Sequence, residues 1–308
     1  MKMDAGALTV DEIRKSSLQA QIVAHHRVAP ETGLLILHAP EICLSARPGQ
    51  FVHIRCGSTL DPLLRRPLSI HAVQREKGLL ALLYRVVGRG TRLLAAARPG
   101  ERLDVLGPLG RGFDPPGAGR PVALVAGGIG AAPLFFLLQE LAERGAGGHL
   151  LIGARSREQL SVGRGAAGTG ILQAHHFTVP VLAESDPRRN RPMPAAAPGR
   201  WVLHQATDDG SCGHHGPVTD LLLPLLQGRR VEAVYACGPR PMLRAVCALL
   251  ARYDTPGQIS LEERMGCGVG ACLACACKTA AGDGAAYRRV CVDGPVFDAR
   301  AVLWDDGR

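Results

Sequence analysis

Three cysteines crowd one short glycine-rich loop, Cys267-Gly-Val-Gly-Ala-Cys272-Leu-Ala-Cys275, and a fourth, Cys291, follows after fifteen intervening residues. C-x4-C-x2-C with one distant cysteine is the plant-type spacing for a 2Fe-2S cluster. It constrains the fold tightly, because thiolates from two separate stretches must meet at one small inorganic core. Gly266, Gly268 and Gly270 tolerate positive φ and close approach, so the backbone N–H groups can turn toward the sulfurs. Ala271, Ala274 and Ala276 add little bulk. Two other readings are weaker. Structural zinc usually shows two C-x2-4-C knuckles, and ten cysteines in 308 residues are too sparse for a disulfide scaffold. Cys277 lies two residues past Cys275, and the x4, x2 spacing favours Cys275 as the ligand.

The chain has room for two or three domains, and 46% hydrophobic with 20% charged residues reads as soluble and globular. Its first residues, with Lys2, Asp4, Asp11 and Glu12, lack the apolar stretch of a secretory signal, and no run of eighteen apolar residues follows. The expectation is a cytoplasmic protein with no membrane association. Free thiols and an oxidisable cluster fit a reducing compartment. The formal charge of +9 comes with only 4% aromatics, and no basic run is interleaved with stacking residues, so nucleic acid is not an expected partner. The basic residues are nearly all arginine, scattered along the chain, a bias that still favours anionic cofactors.

Short apolar runs broken by turns occupy residues 17–115: Gly33 to Leu37, Gln50 to Ile54, Pro67 to Val73 and Leu79 to Val87. Such spacing predicts a small antiparallel β-barrel. An α/β domain is expected over 118–255. It opens with the apolar run Pro121 to Ala126, the turn Gly127-Gly128-Ile129-Gly130 and a helical pattern from Leu134 to Leu141, the order strand, glycine turn, helix. Strands at His149 to Arg155 and Val231 to Cys237 continue it. Within it, 161–200 reads as an insertion or surface loop, with Arg188, Arg189 and Arg191 a solvated face. Residues 256–308 form a small cluster module.

Two further constellations carry chemistry. The barrel contains Arg66-Pro67-Leu68-Ser69, then Leu83-Tyr84-Arg85, then Gly90-Thr91. A flavin needs a cation and backbone donors for its pyrophosphate, and a small hydroxyl or amide near the ring nitrogen that receives hydride. Arg-Pro-x-Ser alone is equally readable as a strand edge with an exposed arginine. Gly127, Gly128 and Gly130 make a turn that a phosphate can approach at a helix start, but not the G-x-G-x-x-G fingerprint. A plain packing turn is the alternative. Cys237-Gly238-Pro239 falls at the carboxyl end of a strand, where open α/β sheets bind ligands, or is an ordinary Gly-Pro turn.

These motifs in this order, with Gly-Pro-Leu-Gly at 107–110 and Cys291-Val-Asp-Gly-Pro-Val-Phe297, resemble the ferredoxin reductase family. Within it they are similar to the electron transfer subunits of B-type dihydroorotate dehydrogenase, over about residues 17–303. Thr207-Asp-Asp-Gly-Ser211 and Val218-Thr-Asp220 add to the likeness. The resemblance implies FAD at Arg66, Pro67, Leu68, Ser69, Leu83, Tyr84, Arg85, Gly90 and Thr91, a cluster on Cys267, Cys272, Cys275 and Cys291, and NAD as the nucleotide. Gly127, Gly128, Gly130, Cys237, Gly238 and Pro239 are the nucleotide candidates. The residues alone leave NADP open, since Arg155-Ser-Arg157 follows a strand where arginine can take a 2′-phosphate. The resemblance further implies a catalytic FMN subunit as partner in a heterotetramer, with electrons leaving dihydroorotate there and reaching NAD⁺ through cluster and FAD. A reductase of the same build serving a hydrogenase or other reductase, and a redox sensor, are the alternatives.

Overall fold

The computed structural model describes residues 16–57, 59–115, 117, 121–163, 171–178, 182–184, 199–282 and 284–304. Most of the 161–200 stretch, including Arg188, Arg189 and Arg191, lies outside them. β1 (Ser16–Ala29), β2 (Thr32–His38), β3 (Phe51–Ile54), β4 (Arg66–Gln74), β5 (Leu79–Arg85) and β6 (Arg102–Leu109) close an antiparallel barrel in the order β1-β2-β5-β4-β3-β6. Helices α1 (Pro40–Ser45) and α2 (Arg89–Ala96) sit in its connections. β2 and β5 are apolar on both faces for a reason. Leu35, Leu37, Leu80, Leu82 and Tyr84 fill the barrel, whereas Leu34, Ile36, Ala81 and Leu83 pack outward under the second domain.

That domain is a mostly parallel sheet. β7 (Val122–Gly127), α3 (Ala131–Glu143), β8 (Gly148–Ala154), α4 (Arg157–Gly163), β9 (Leu182–Glu184), β10 (Trp201–Thr207), β11 (His214–His215), α5 (Thr219–Gln227), β12 (Ala233–Cys237), α6 (Arg240–Arg252) and β13 (Gly257–Ser260) follow one another. The hairpin β14 (Ala276–Ala281) with β15 (Gly284–Arg289) comes next, then β16 (Val296–Asp298). The sheet order is β11-β10-β8-β7-β12-β13-β16, with β9 also on β10. The expected class, an antiparallel barrel, then an α/β domain, then a cluster module, is the observed one. The boundary expected at 255 is not a break in the sheet: β13 pairs in parallel with β12, and β16 returns antiparallel to β13. The 256–308 segment is thus woven into its neighbour at both ends of the cysteine region.

Helix α3 clamps the two domains. The buried His71 of β4 lies 3.2 Å from the Ala132 carbonyl through Nδ1 and stacks on Phe135 at 4.7 Å. The Gln139 amide donates to the Val73 carbonyl at 3.0 Å and accepts from the Val73 N–H at 3.4 Å. Among the described residues no helix is long and apolar enough to cross a membrane.

Buried imidazoles make the fold sensitive to acid. His149 of β8 and His204 of β10 share a 2.9 Å contact beneath the sheet. Burial, with Arg230 nearby, pushes His149 down to about 4. Burial, then the His149 ring, pushes His204 down to about 3, and burial pushes His71 down to about 4 against the Ala132 carbonyl. Each folded value lies below the ordinary 6.5, so the stabilisation is complete above that pH and is lost as pH falls toward the folded value. Between pH 7 and 5 the loss is about 2 kcal/mol per imidazole. Guanidinium unfolding at the two pH values should show it, and the double variant His149→Leu, His204→Leu should have a flatter acid limb. Parallel losses in both proteins would exclude the pair as the cause.

Candidate functional site

The ladder between β4 and β5 stops at Ile70–Leu82. Beyond it Arg66–Ser69 stays paired only with β3 and Leu83–Arg85 only with β2, so the two segments flank a split in the barrel wall. Their facing backbone groups are open to a ligand. Leu83 turns outward and Tyr84 inward, as the two-residue period of a strand requires. Tyr84 is buried with its hydroxyl 2.8 Å from His25 Nε2, and burial, then Cys56, pushes it up to about 12. Only its backbone can serve a ligand in the split.

Arg66 and Gly90 meet at the head of α2. A Cβ on Gly90 would fall 2.6 Å from Arg66 Nε and 2.9 Å from Cζ, so glycine is what lets the guanidinium lie over the start of the helix. Arg66 Nη1 donates to the Leu64 and Arg65 carbonyls at 2.5 and 3.3 Å. Thr91 is used up as a cap: its hydroxyl accepts from the N–H groups of Val87 and Gly88 at 2.9 and 3.1 Å and donates to the Gly88 carbonyl at 3.0 Å. The next helix donors remain free of that cap. A cation over a helix start suits a pyrophosphate, and Ser69 sits on the same outer face of β4 as His71, toward α3.

The glycine turn is partly a packing device. A Cβ on Gly127 would strike Met242 Sδ and Pro239 Cδ, both at 2.7 Å, and one on Gly130 would collide with the Cys237 carbonyl. Gly238, at φ +159°, would meet Gly127 in the same way. The Gly127–Gly130 and Cys237–Pro239 turns therefore lie back to back at the carboxyl ends of β7 and β12. Only Gly128, at φ +54°, faces open space. Burial, with the Glu262 charge, raises the Cys237 thiol against a hydrogen bond from Ser260, so it stays neutral. Nearby, the Asp208 and Asp209 N–H groups donate to the Ala154 and Arg155 carbonyls at 3.0 and 3.1 Å, and the Arg157 N–H donates to Ser211 Oγ at 2.8 Å. The Thr207–Ser211 turn thereby locks onto the end of β8.

The cysteine loop is built for sulfur. Cys267 Sγ accepts from the N–H groups of Val269, Ala271 and Cys272 at 3.5, 3.3 and 3.4 Å. Cys272 Sγ accepts from the Cys267 N–H, and Cys275 Sγ from the Cys291 N–H, each at 3.4 Å. Gly268 and Gly270 have φ of +72° and +87°, the posture that aims those donors inward. Burial works against ionising Cys267, yet the Val269 and Cys272 N–H groups, with the Cys272 side chain and the Ala271 N–H, bring it down to about 6. Burial, then Cys275, pushes Cys291 up to about 12.

Among the described residues no three His, Cys, Asp or Glu side chains gather as a site for one metal ion. The thiols come instead as two pairs, Cys267 with Cys272 and Cys275 with Cys291. Two pairs suit two irons better than one tetrahedral zinc. Cys277, on β14, is buried in the same core cluster as Cys275 and Cys291, and burial, then Glu263 and Cys275, pushes it up to about 11.

Contacts at Gly110–Arg111 and at His53 are among those that bring the module to the barrel. Gly110 is wedged against Pro295 and Gly294, and the Arg111 N–H donates to the Gly294 carbonyl at 2.6 Å. Gly268 lies against His53 of β3, whose cross-strand neighbour is Pro67. Sequence reasoning passed over His53, because a lone histidine in a short strand carries no spacing signal.

A barrel that opens at a cationic helix start and backs onto a parallel sheet is the build of a ferredoxin reductase-type flavoprotein, here with its own iron–sulfur module. The iron-sulfur cluster binding domain of dihydroorotate dehydrogenase B matches residues 262–303, which include all four cysteines. The chain is 44% identical over 286 residues to the dihydroorotate dehydrogenase B (NAD(+)) electron transfer subunit of Desulforamulus reducens, covering 93% of this chain and 98% of that one. It is 40% identical to the same subunit of Geobacillus thermodenitrificans, covering 92% and 96%. Among solved structures, an NADH-dependent reduced ferredoxin-NADP oxidoreductase superposes with a TM-score of 0.72 at 27% identity, covering 95% of this chain and 92% of that one. The ferredoxin reductase in carbazole 1,9a-dioxygenase, at 0.58 and 21% over 81% and 70%, shares the fold. The chain belongs to the family of dihydroorotate dehydrogenase B electron transfer subunits.

Proposed function

We propose that this chain carries electrons from dihydroorotate, oxidised on a partner FMN subunit, to NAD⁺, within a heterotetramer in the cytoplasm. Bound together, a 2Fe-2S cluster supplies one-electron exchange, FAD exchange of one or two, and NAD⁺ acceptance of hydride. The observation that carries the reading is the arrangement around β3 and β4. The cysteine loop rests on β3, the split beside β4 and β5 offers the flavin site, and α3 holds the glycine turn against β4.

In this reading Cys267, Cys272, Cys275 and Cys291 hold the cluster. The Arg66 guanidinium and the α2 start hold the FAD pyrophosphate, with backbone of Pro67–Ser69 and Leu83–Arg85 along the split. Gly128, with the turn at Cys237–Pro239, bounds the nucleotide. Cys237 is itself buried, so its turn offers a nucleotide backbone rather than a thiol. Residues 17–115, 118–255 and 256–308 are the FAD, NAD and cluster domains, the last lending β13 and β16 to the sheet of the second.

Mixing the purified chain with the catalytic subunit of a B-type dihydroorotate dehydrogenase should give dihydroorotate-dependent NADH formation, with flavin and cluster both visible in the spectrum. Absence of that activity, with a hydrogenase subunit co-purifying instead, would overturn the proposal. Arg66→Ala should weaken FAD retention by about 1.5 to 3 kcal/mol, the value of a charge-assisted contact. Flavin should be lost on desalting. Unchanged FAD affinity would place Arg66 outside the site.

A further inference from the structure

His53 is 0% exposed, and neither ring nitrogen has a hydrogen-bond partner. Its strand neighbours Val52 and Ile54 fill the barrel, so the imidazole stands on the outer wall. There it is covered by the cysteine loop. A Cβ on Gly268 would fall 2.5 Å from Nδ1 and 3.1 Å from Cε1, so that glycine is pressed onto the ring. Backbone groups of Cys267 and of Arg65 lie close enough to act on the ring electrostatically. Arg65 precedes the flavin strand and is itself fixed by a two-pronged ion pair to Asp104, at 2.9 and 2.6 Å.

A buried donor without a partner is costly, and an apolar side chain of that size would fill the space without the penalty. Its neutral ring has one N–H and one bare nitrogen. It is a side chain whose Nδ1 lies under Gly268 of the cysteine loop and whose strand pairs with Pro67 of the flavin segment. We propose that His53 is a positioning residue for electron exchange between FAD and the 2Fe-2S cluster, holding the Cys267–Gly268 backbone against the Arg65–Pro67 strand. The inference rests on the assignment of Arg66–Ser69 to FAD and of the four cysteines to the cluster.

The step served would be one-electron exchange: Arg66 and the Pro67–Ser69 backbone would hold the FAD, Cys267, Cys272, Cys275 and Cys291 would hold the cluster, and, when bound, the flavin would give up its two hydride electrons one at a time to an acceptor that takes single electrons.

Anaerobic stopped-flow mixing of the FAD- and cluster-loaded chain with NADH separates the hydride step, read as flavin bleaching, from cluster reduction, read by freeze-quench EPR. In His53→Phe, bleaching should keep its wild-type rate and cluster content should be unchanged, while cluster reduction slows about tenfold as the Cys267–Gly268 backbone loosens from the strand. Amide exchange across residues 266–270 should quicken by a similar factor. His53→Gln, which keeps a donor and an acceptor, should recover most of the rate.

Wild-type cluster reduction in His53→Phe would overturn the proposal. If that variant fails to fold, Gly268→Ala, whose methyl pushes the loop off the ring, must slow the same step, and a normal rate there would overturn it equally. Failure of NADH to bleach flavin in the unaltered chain would instead sink the cofactor assignment.

Discussion

Cys272→Ser should abolish the cluster absorbance and reduce dihydroorotate-dependent NAD⁺ reduction by the complex to background, the largest loss expected of any single change. Cys272 pairs with Cys267 across the mouth of the loop, and its own N–H is one of the donors to Cys267 Sγ. A serine hydroxyl does not ionise in the range where a thiol does, so one of the four ligands is lost outright. FAD should remain, because Arg66, Gly90 and the β4–β5 split belong to a barrel whose six strands close without the loop. NADH-to-dye activity should accordingly survive in large part. Cys277→Ser is the control: the x4, x2 spacing leaves it outside the ligand set, so the cluster spectrum should persist. A spectrum lost in Cys277→Ser and kept in Cys275→Ser would reverse the ligand assignment.

The second large effect is expected at the partner surface. Leu273 is 63% exposed at the tip of the cysteine loop, with φ of +59°, a posture uncommon for a residue with a side chain. Val269 at 42% and Tyr287 at 74% are exposed on the same module, and Ala271 and Ala274 add no charge. Such a rim suits the desolvated centre of an interface. Leu273→Glu would bury an unpaired carboxylate on docking, at a cost of several kcal/mol, so affinity for the catalytic subunit should fall by about a hundredfold or more. Cluster spectrum and NADH-to-dye activity should be unchanged in the isolated chain. Titration with the partner, followed by dihydroorotate-dependent NADH formation, checks it. Full activity at wild-type partner concentration would place docking on another face.

The cysteine spacing was legible because ligand geometry is written directly into the intervals between residues. The barrel strands and the β7–turn–α3 unit were legible for a related reason, since turn residues and periodicity are local. What escaped was non-local. Nothing in Arg66–Ser69 or Leu83–Arg85 announces that their strands part company after Ile70–Leu82. Gly127, Gly130 and Gly238 look like ligand-approach glycines, and only their mutual contact reveals that they make room for one another. β13 and β16, of four and three residues, are too short for a periodic signal. His53 became meaningful only when Gly268, more than two hundred positions away, was found against it.

The pairing of β16 with β13 also bears on how the chain is made. Until residues 261–298 have been synthesised and folded back, β13 is a bare sheet edge, with unpaired N–H and C=O groups able to template onto another nascent chain. The strand that seals it emerges only after Cys291, so the last ligand cysteine leaves the ribosome just ahead of the strand that covers the edge. The fourth cysteine and the strand that covers the edge therefore become available to the fold together.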